Sequence, residues 1–133
     1  MIPEIEYASK AEINSFQVEK LKDLLLYLKT NSAFYKRLFS THKIDISTLN
    51  SLEDLTTIPT TSKDDLQQYN DDFICVPKNK IVDYVTTSGT LGDPVLFGLT
   101  DNDLDRLAYN EAISFACAGI GPDDVIQLMT TID

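Results

Sequence analysis

From Thr86 to Pro94 the chain reads Thr-Thr-Ser-Gly-Thr-Leu-Gly-Asp-Pro, a segment whose residue types suit the binding of phosphate. Glycines let a backbone approach an anion closely and adopt positive φ. Successive N–H groups then converge into a nest, and Ser and Thr hydroxyls add donors that also reach metal-bound oxygens. Ser88, Gly89, Thr90 and Gly92 provide that set, with Thr86 and Thr87 upstream. Taken alone, a Ser-Gly-Thr-x-Gly pentapeptide is more often a plain hairpin turn. Nor is it a Walker loop, since the G-x-x-x-x-G-K-[ST] spacing is absent.

Other chemistry-bearing residues carry less. His42, the single histidine, sits in a polar stretch beside Lys43 and reads as a solvent-exposed loop residue. The acid pairs Asp64-Asp65, Asp71-Asp72 and Asp123-Asp124 read as helix caps and solvated charge. Cys75 and Cys117 lie far apart with no C-x-x-C pattern, and read as two buried free thiols. Tyr27, Phe34 and Tyr35 read as packing residues rather than a binding box.

The elements that must position the loop are marked mainly by caps. Ser9 with Glu12 forms an S-x-x-E box opening a helix to about Lys29. Its apolar stripe is Ile13, Phe16, Leu21, Leu24, Leu25 and Leu28. Ser32 caps a second helix, Ala33 to Ser40, with Phe34, Leu38 and Phe39 inward. Ser51 with Asp54 marks a capped turn, and Ser62 with Asp65 starts a helix from Lys63 to about Tyr69. Phe73 to Val76 reads as short and extended. Ile81 to Thr87 and Val95 to Leu99 read as strands flanking the loop. Thr100 with Asp103 caps a long helix to about Ala118, whose buried stripe is Leu104, Leu107, Ala108, Ala112, Phe115 and Ala116. Gly119 and Gly121-Pro122 end it, and Asp124 to Met129 reads as a further strand.

Strand, loop, strand, helix, strand is the beginning of an α/β sheet. The expected fold is therefore α/β: a small helical region, residues 1–78, then the incomplete start of an α/β nucleotide-binding domain, residues 79–133. Because two or three strands do not finish such a domain, the chain reads as the front piece of a longer protein.

With 133 residues, 43% of them apolar, one modest domain is affordable. Net charge is −10, and residues 81–133 carry nine acids against Arg106 alone. That balance excludes a nucleic-acid partner, which needs a basic footprint. No apolar run is long enough to cross a membrane, and the N-terminus lacks a secretory pattern, so the cytoplasm is the expected location. Apolar surface around Val125 to Met129 would favour self-association of an isolated piece.

The segment Tyr84 to Thr100 resembles the adenylate-forming (acyl-CoA synthetase) superfamily, and within it the phenylacetate–CoA ligase and coenzyme F390 synthetase-like family. Ser32-Ala33-Phe34-Tyr35-Lys36-Arg37-Leu38 resembles the family's S-P-F-Y-R-x-L. Leu52 to Leu66 resembles its D-L-x-x-L-P-x-T-x-K-x-D-L, and Ala118 to Val125 its A-G-x-x-x-x-D-V. Order and spacing agree from about residue 15 to 130.

The resemblance implies a two-step reaction. A carboxylate attacks the α-phosphate of Mg-ATP to form an acyl adenylate, and coenzyme A then displaces AMP to give a thioester. ATP, Mg2+ and coenzyme A are the implied cofactors, and a small carboxylate such as an aryl acetate the implied substrate. By matching positions, Thr87, Ser88, Gly89, Thr90 and Gly92 would wrap the β- and γ-phosphates. Leu91 replaces the usual second Thr and removes a hydroxyl donor, while Asp93 adds negative charge. The family's adenine pocket, metal ligand and catalytic Lys lie further along the sequence. No catalytic or metal-binding residue is therefore assigned here, and the chain alone is expected to be inactive. An acyl-protein synthetase-like enzyme or a truncated, non-catalytic binding module are the alternatives.

Overall fold

The computed structural model describes residues 4–87, 94–127 and 129. Among these, helices dominate and one two-stranded sheet is present. In chain order the elements are α1 (Lys10–Asn31), α2 (Ala33–Thr41), α3 (Lys63–Gln68), β1 (Asp83–Thr86), β2 (Leu96–Leu99) and α4 (Asp101–Cys117), joined by short 3-10 turns.

Local hydrogen bonding explains where the helices start. Capping boxes are closed at Ser9/Glu12, Ser62/Asp65 and Thr100/Asp103. At the capped turn, the Asp54 carboxylate accepts from the Asn50 and Ser51 backbone N–H groups at 2.7 and 2.9 Å. Ser32 both ends α1 and starts α2. Its hydroxyl accepts from the Tyr35 N–H at 3.3 Å and donates to the Asp72 carbonyl at 2.8 Å, which satisfies a side chain that is fully buried.

These donors set the response to acid. Hydrogen bonds from Ser9, Ser47, Asn50, Ser62 and Thr100 hold the carboxyls of Glu12, Asp45, Asp54, Asp65 and Asp103 below their ordinary range. A depressed folded value means the contribution is present above the unfolded carboxylate pKa of about 4, and is lost as pH falls through the lower folded values. The urea midpoint is expected to drop between about pH 5 and pH 2, more shallowly in Asp54→Asn.

The α2 helix ends in a Schellman motif. The Ile44 N–H donates to the Phe39 carbonyl at 2.8 Å and the Lys43 N–H to the Ser40 carbonyl at 3.2 Å. That geometry places Lys43 at φ 54°, in the left-handed region that favours glycine. Lys43→Gly should therefore stabilise the chain by about 0.5–1 kcal/mol, read as a raised urea midpoint with unchanged slope.

Packing is concentrated in the helical part. Leu25, Phe39 and Leu49 are buried together, with Leu21, Tyr35, Leu38, Ile44, Ile46 and Ile58 against them. Beside this core Phe34 stacks on Phe73 with ring centroids 4.1 Å apart, and Tyr35 stands edge-on to both rings. Arg37 binds Asp72 at 2.7 Å and lies over the Tyr69 ring. The turn Asn70–Phe73 is thereby fastened to α2 by stacking, an ion pair and the Ser32 hydrogen bond.

Several expectations need correction. Phe73 belongs to a 3-10 turn, Asn70–Phe73, rather than an extended run from 73 to 76, because its ring is drawn onto Phe34. No strand forms over residues 124–127, although their composition is β-like; Leu128 lies outside the described residues. A strand needs a neighbouring ladder, and β1–β2 is the one sheet among the described residues. In α1, Leu21, Leu25 and Leu28 turn inward while Phe16 and Leu24 are exposed. The α4 stripe is likewise partly exposed: Leu104, Leu107 and Phe115 keep 38%, 43% and 39% of their surface open. Cys75 is only half-buried and Cys117 is exposed.

Candidate phosphate-loop site

β1 and β2 form an antiparallel hairpin with Thr86 opposite Leu96 and Asp83 opposite Leu99. Pairing continues one step beyond the strands at each end. The Val82 N–H donates to the Leu99 carbonyl at 2.8 Å, and the Thr87 N–H to the Val95 carbonyl at 3.1 Å. The Thr87–Val95 pair is thus the base of the loop. Of the proposed phosphate contacts, Thr87 is at this base; Ser88, Gly89, Thr90 and Gly92, with Leu91 and Asp93, lie outside the described residues.

Thr87 has a second link to Val95. Its Oγ1 accepts from the Val95 N–H at 3.0 Å. A hydroxyl has one donor and two acceptor positions, so accepting this bond does not use its hydrogen. The residue is exposed, whereas Val95 is 2% exposed and anchors the far side. Thr87→Val keeps the shape but removes the acceptor from a buried N–H. It should cost about 1–2 kcal/mol, measured by urea denaturation.

The hairpin is braced from outside. Asn70 Nδ2 donates to the Leu96 carbonyl at 2.8 Å, and the Tyr27 hydroxyl to the Cys75 carbonyl at 3.4 Å. Nothing local in the sequence signals the reach of Asn70 to β2. Between these parts lies a cleft of about 630 Å3, bordered by Tyr27, Phe73, Cys75, Lys80, Phe97 and Asp101. Burial raises the Cys75 thiol pKa, which opposes thiolate formation and a nucleophilic role. Desolvation also raises Tyr27, with smaller contributions from the charges of Cys75 and Asp103.

The N-terminus of α4 does not serve as an anion site. Asp101 and Asp103 occupy its first turn, and Asp103 takes the capping bonds itself. Among the described residues no group of three or more His, Cys, Asp or Glu side chains could hold a metal ion. His42 is exposed at the end of α2. No described helix is long and apolar enough to cross a membrane.

No protein-family model matches the chain. Individual relatives do. The phenylacetate–coenzyme A ligase of Thermus thermophilus is 36% identical over 121 residues, 90% of this chain and 27% of that protein. The phenylacetate–coenzyme A ligase of Escherichia coli K12 is 35% identical over 125 residues, 93% of this chain and 29% of that protein. Among solved structures, 2-hydroxyisobutyryl-CoA ligase in complex with 2-HIB-AMP and CoA superposes with a TM-score of 0.80 at 30% identity. It covers 87% of this chain and 26% of that one. The chain spans between a quarter and a third of the length of these relatives. It is a homologue of the phenylacetate–coenzyme A ligases, and its fold matches the N-terminal part of an adenylate-forming enzyme.

Proposed function

We propose that this chain provides the ATP phosphate loop of a carboxylate–coenzyme A ligase, with residues 1–78 as a helical support and 79–133 as the start of the nucleotide-binding domain. The observation that carries the reading is the doubly bonded Thr87–Val95 base, which fixes the point from which the loop departs. It holds a Ser-Gly-Thr-x-Gly sequence in a chain related to ligases of this class. Thr87, Ser88, Gly89, Thr90 and Gly92 are the residues that contact the β- and γ-phosphates. Mg2+, when bound to the nucleotide, neutralises the phosphate charge during adenylate formation.

Donor hydrogens at this loop position the nucleotide and stabilise the charge that moves onto the departing diphosphate. With one basic residue in 81–133, the donors that this segment itself supplies are backbone N–H groups and hydroxyls. The acyl group of the proposed reaction comes from a small carboxylate, an aryl acetate by analogy with the named relatives, and passes to coenzyme A. Coenzyme A is favoured over a protein thiol because the related solved structure is described with CoA bound.

A polypeptide of these 133 residues spans 27% of the related Thermus thermophilus ligase and should not by itself form acyl adenylate. The test is carboxylate-dependent pyrophosphate release from ATP. None is expected from the chain by itself; robust turnover would overturn the assignment of a phosphate-loop part only.

A further inference from the structure

We infer that Asn70 is a positioning residue for the phosphate loop, its carboxamide fixing the loop base against the helical part of the chain. Asn70 Nδ2 donates to the Leu96 carbonyl at 2.8 Å, across 26 residues of sequence. Leu96 directly follows Val95, whose carbonyl accepts from the Thr87 N–H. Backbone groups of successive strand residues point to opposite edges. With the Val95 carbonyl turned to β1, that of Leu96 therefore lies on the outer edge of β2. No third strand meets that edge among the described residues. Asn70 supplies there the donor that a neighbouring strand would otherwise supply.

The other end of this link is held three times over. Asn70 opens the turn Asn70–Phe73. In that turn the Asp72 carboxylate binds Arg37 at 2.7 Å, the Asp72 carbonyl accepts from the Ser32 hydroxyl at 2.8 Å, and the Phe73 ring stacks on Phe34. Ser32 caps α2, and Phe34 and Arg37 lie on it. The same helix places Phe39 in the core with Leu25 and Leu49. Contacts thus run without a break from the helical core, through α2 and one carboxamide, to the peptide beside the loop base. An anion site gains from donors that are already in place when the ligand arrives, and loses affinity when their support is loose. The inference rests on the phosphate-loop reading and names the residue that orients that loop.

The test compares Asn70→Ala with the unaltered chain by amide exchange and by Mg-ATP affinity from phosphorus NMR. Loss of the donor should quicken exchange at Thr87 and Val95 about fivefold. The Val82 amide, at the far end of the hairpin, and the amides of α1 and α2 should keep their rates. Mg-ATP binding should weaken by a similar factor, because the loop donors lose their fixed approach. Asn70→Gln keeps the donor on a longer arm and should recover part of both effects. Asp71→Ala removes an exposed pair with Lys78 in the same turn and should change neither. Equal quickening at every amide would show a general loss of stability, and unchanged exchange at Thr87 and Val95 would show that Asn70 does not hold the base. Either result overturns the inference, as does local quickening with unaltered Mg-ATP affinity. If the unaltered chain binds no Mg-ATP, the phosphate-loop reading fails instead, and the exchange pattern alone decides whether Asn70 fixes the loop base.

Discussion

Phe34→Ala should abolish cooperative folding at room temperature or bring the chain to its edge. The ring is 7% exposed, stacks on Phe73 at 4.1 Å, and touches Tyr35 and Tyr69 at centroid distances of 5.4 and 6.0 Å. Replacing a buried Phe by Ala typically costs about 3–5 kcal/mol through lost transfer energy and the cavity left behind. A chain with a core this limited sits at the low end of the usual range of about 5–15 kcal/mol, so the loss takes most of what is there. Thermal circular dichroism should show a broad, low transition or none. Phe16→Ala, at a site 41% exposed, is the matched control and should move the midpoint little. Equal effects of the two substitutions would contradict the aromatic cluster as the link between α2 and the Asn70–Phe73 turn.

Gly98→Val is expected to splay the hairpin that holds the loop. A Cβ at Gly98 would lie 2.9 Å from Ile81 Cδ1 and 3.2 Å from Ile81 Cγ2. One methyl end could rotate away, but two atoms of the same β-branched side chain cannot both yield easily, because its χ1 is stiff. Overpacking of this kind costs about 1–3 kcal/mol. Gly98 pairs with Tyr84 in the middle of the ladder, so the strain acts on both ends. Amide exchange should quicken at Val82 and Thr87, whose N–H groups bond to Leu99 and Val95. Adding Ile81→Ala should restore part of the protection. Unchanged exchange in the single variant would mean that close approach of Ile81 plays no part in holding the loop base.

What could be read from the sequence divides along the range of the interaction. Ser9/Glu12, Ser62/Asp65 and Thr100/Asp103 are local pairs, and each opens a helix where its spacing indicates. The two strands around the loop were legible for the same reason: β-branched runs on either side of a Gly-containing turn. Partnership across distance was not. Phe34 and Phe73 are far apart in sequence, and an aromatic residue carries no mark of which ring it will meet. Residues 124–127 have strand composition but form no strand, and the apolar stripe of α4 is only partly covered among the described residues. Propensity and periodicity say which face an element would bury; they do not say whether the covering surface is at hand. Within the site, the Ser-Gly-Thr-x-Gly pattern was visible from residue types alone. The Thr87 hydroxyl bond to Val95 and the Asn70 brace on β2 depend on how the chain turns back on itself.

The proposed function requires that the loop meet the outer phosphates of ATP. The direct measurement is phosphorus NMR of Mg-ATP titrated with the chain, repeated with Ser88→Ala/Thr90→Ala. Preferential shifts of the β and γ resonances over the α resonance are expected, and the double substitution should strongly reduce them. Absence of β and γ shifts at saturating protein, or shifts that survive the double substitution intact, would contradict it.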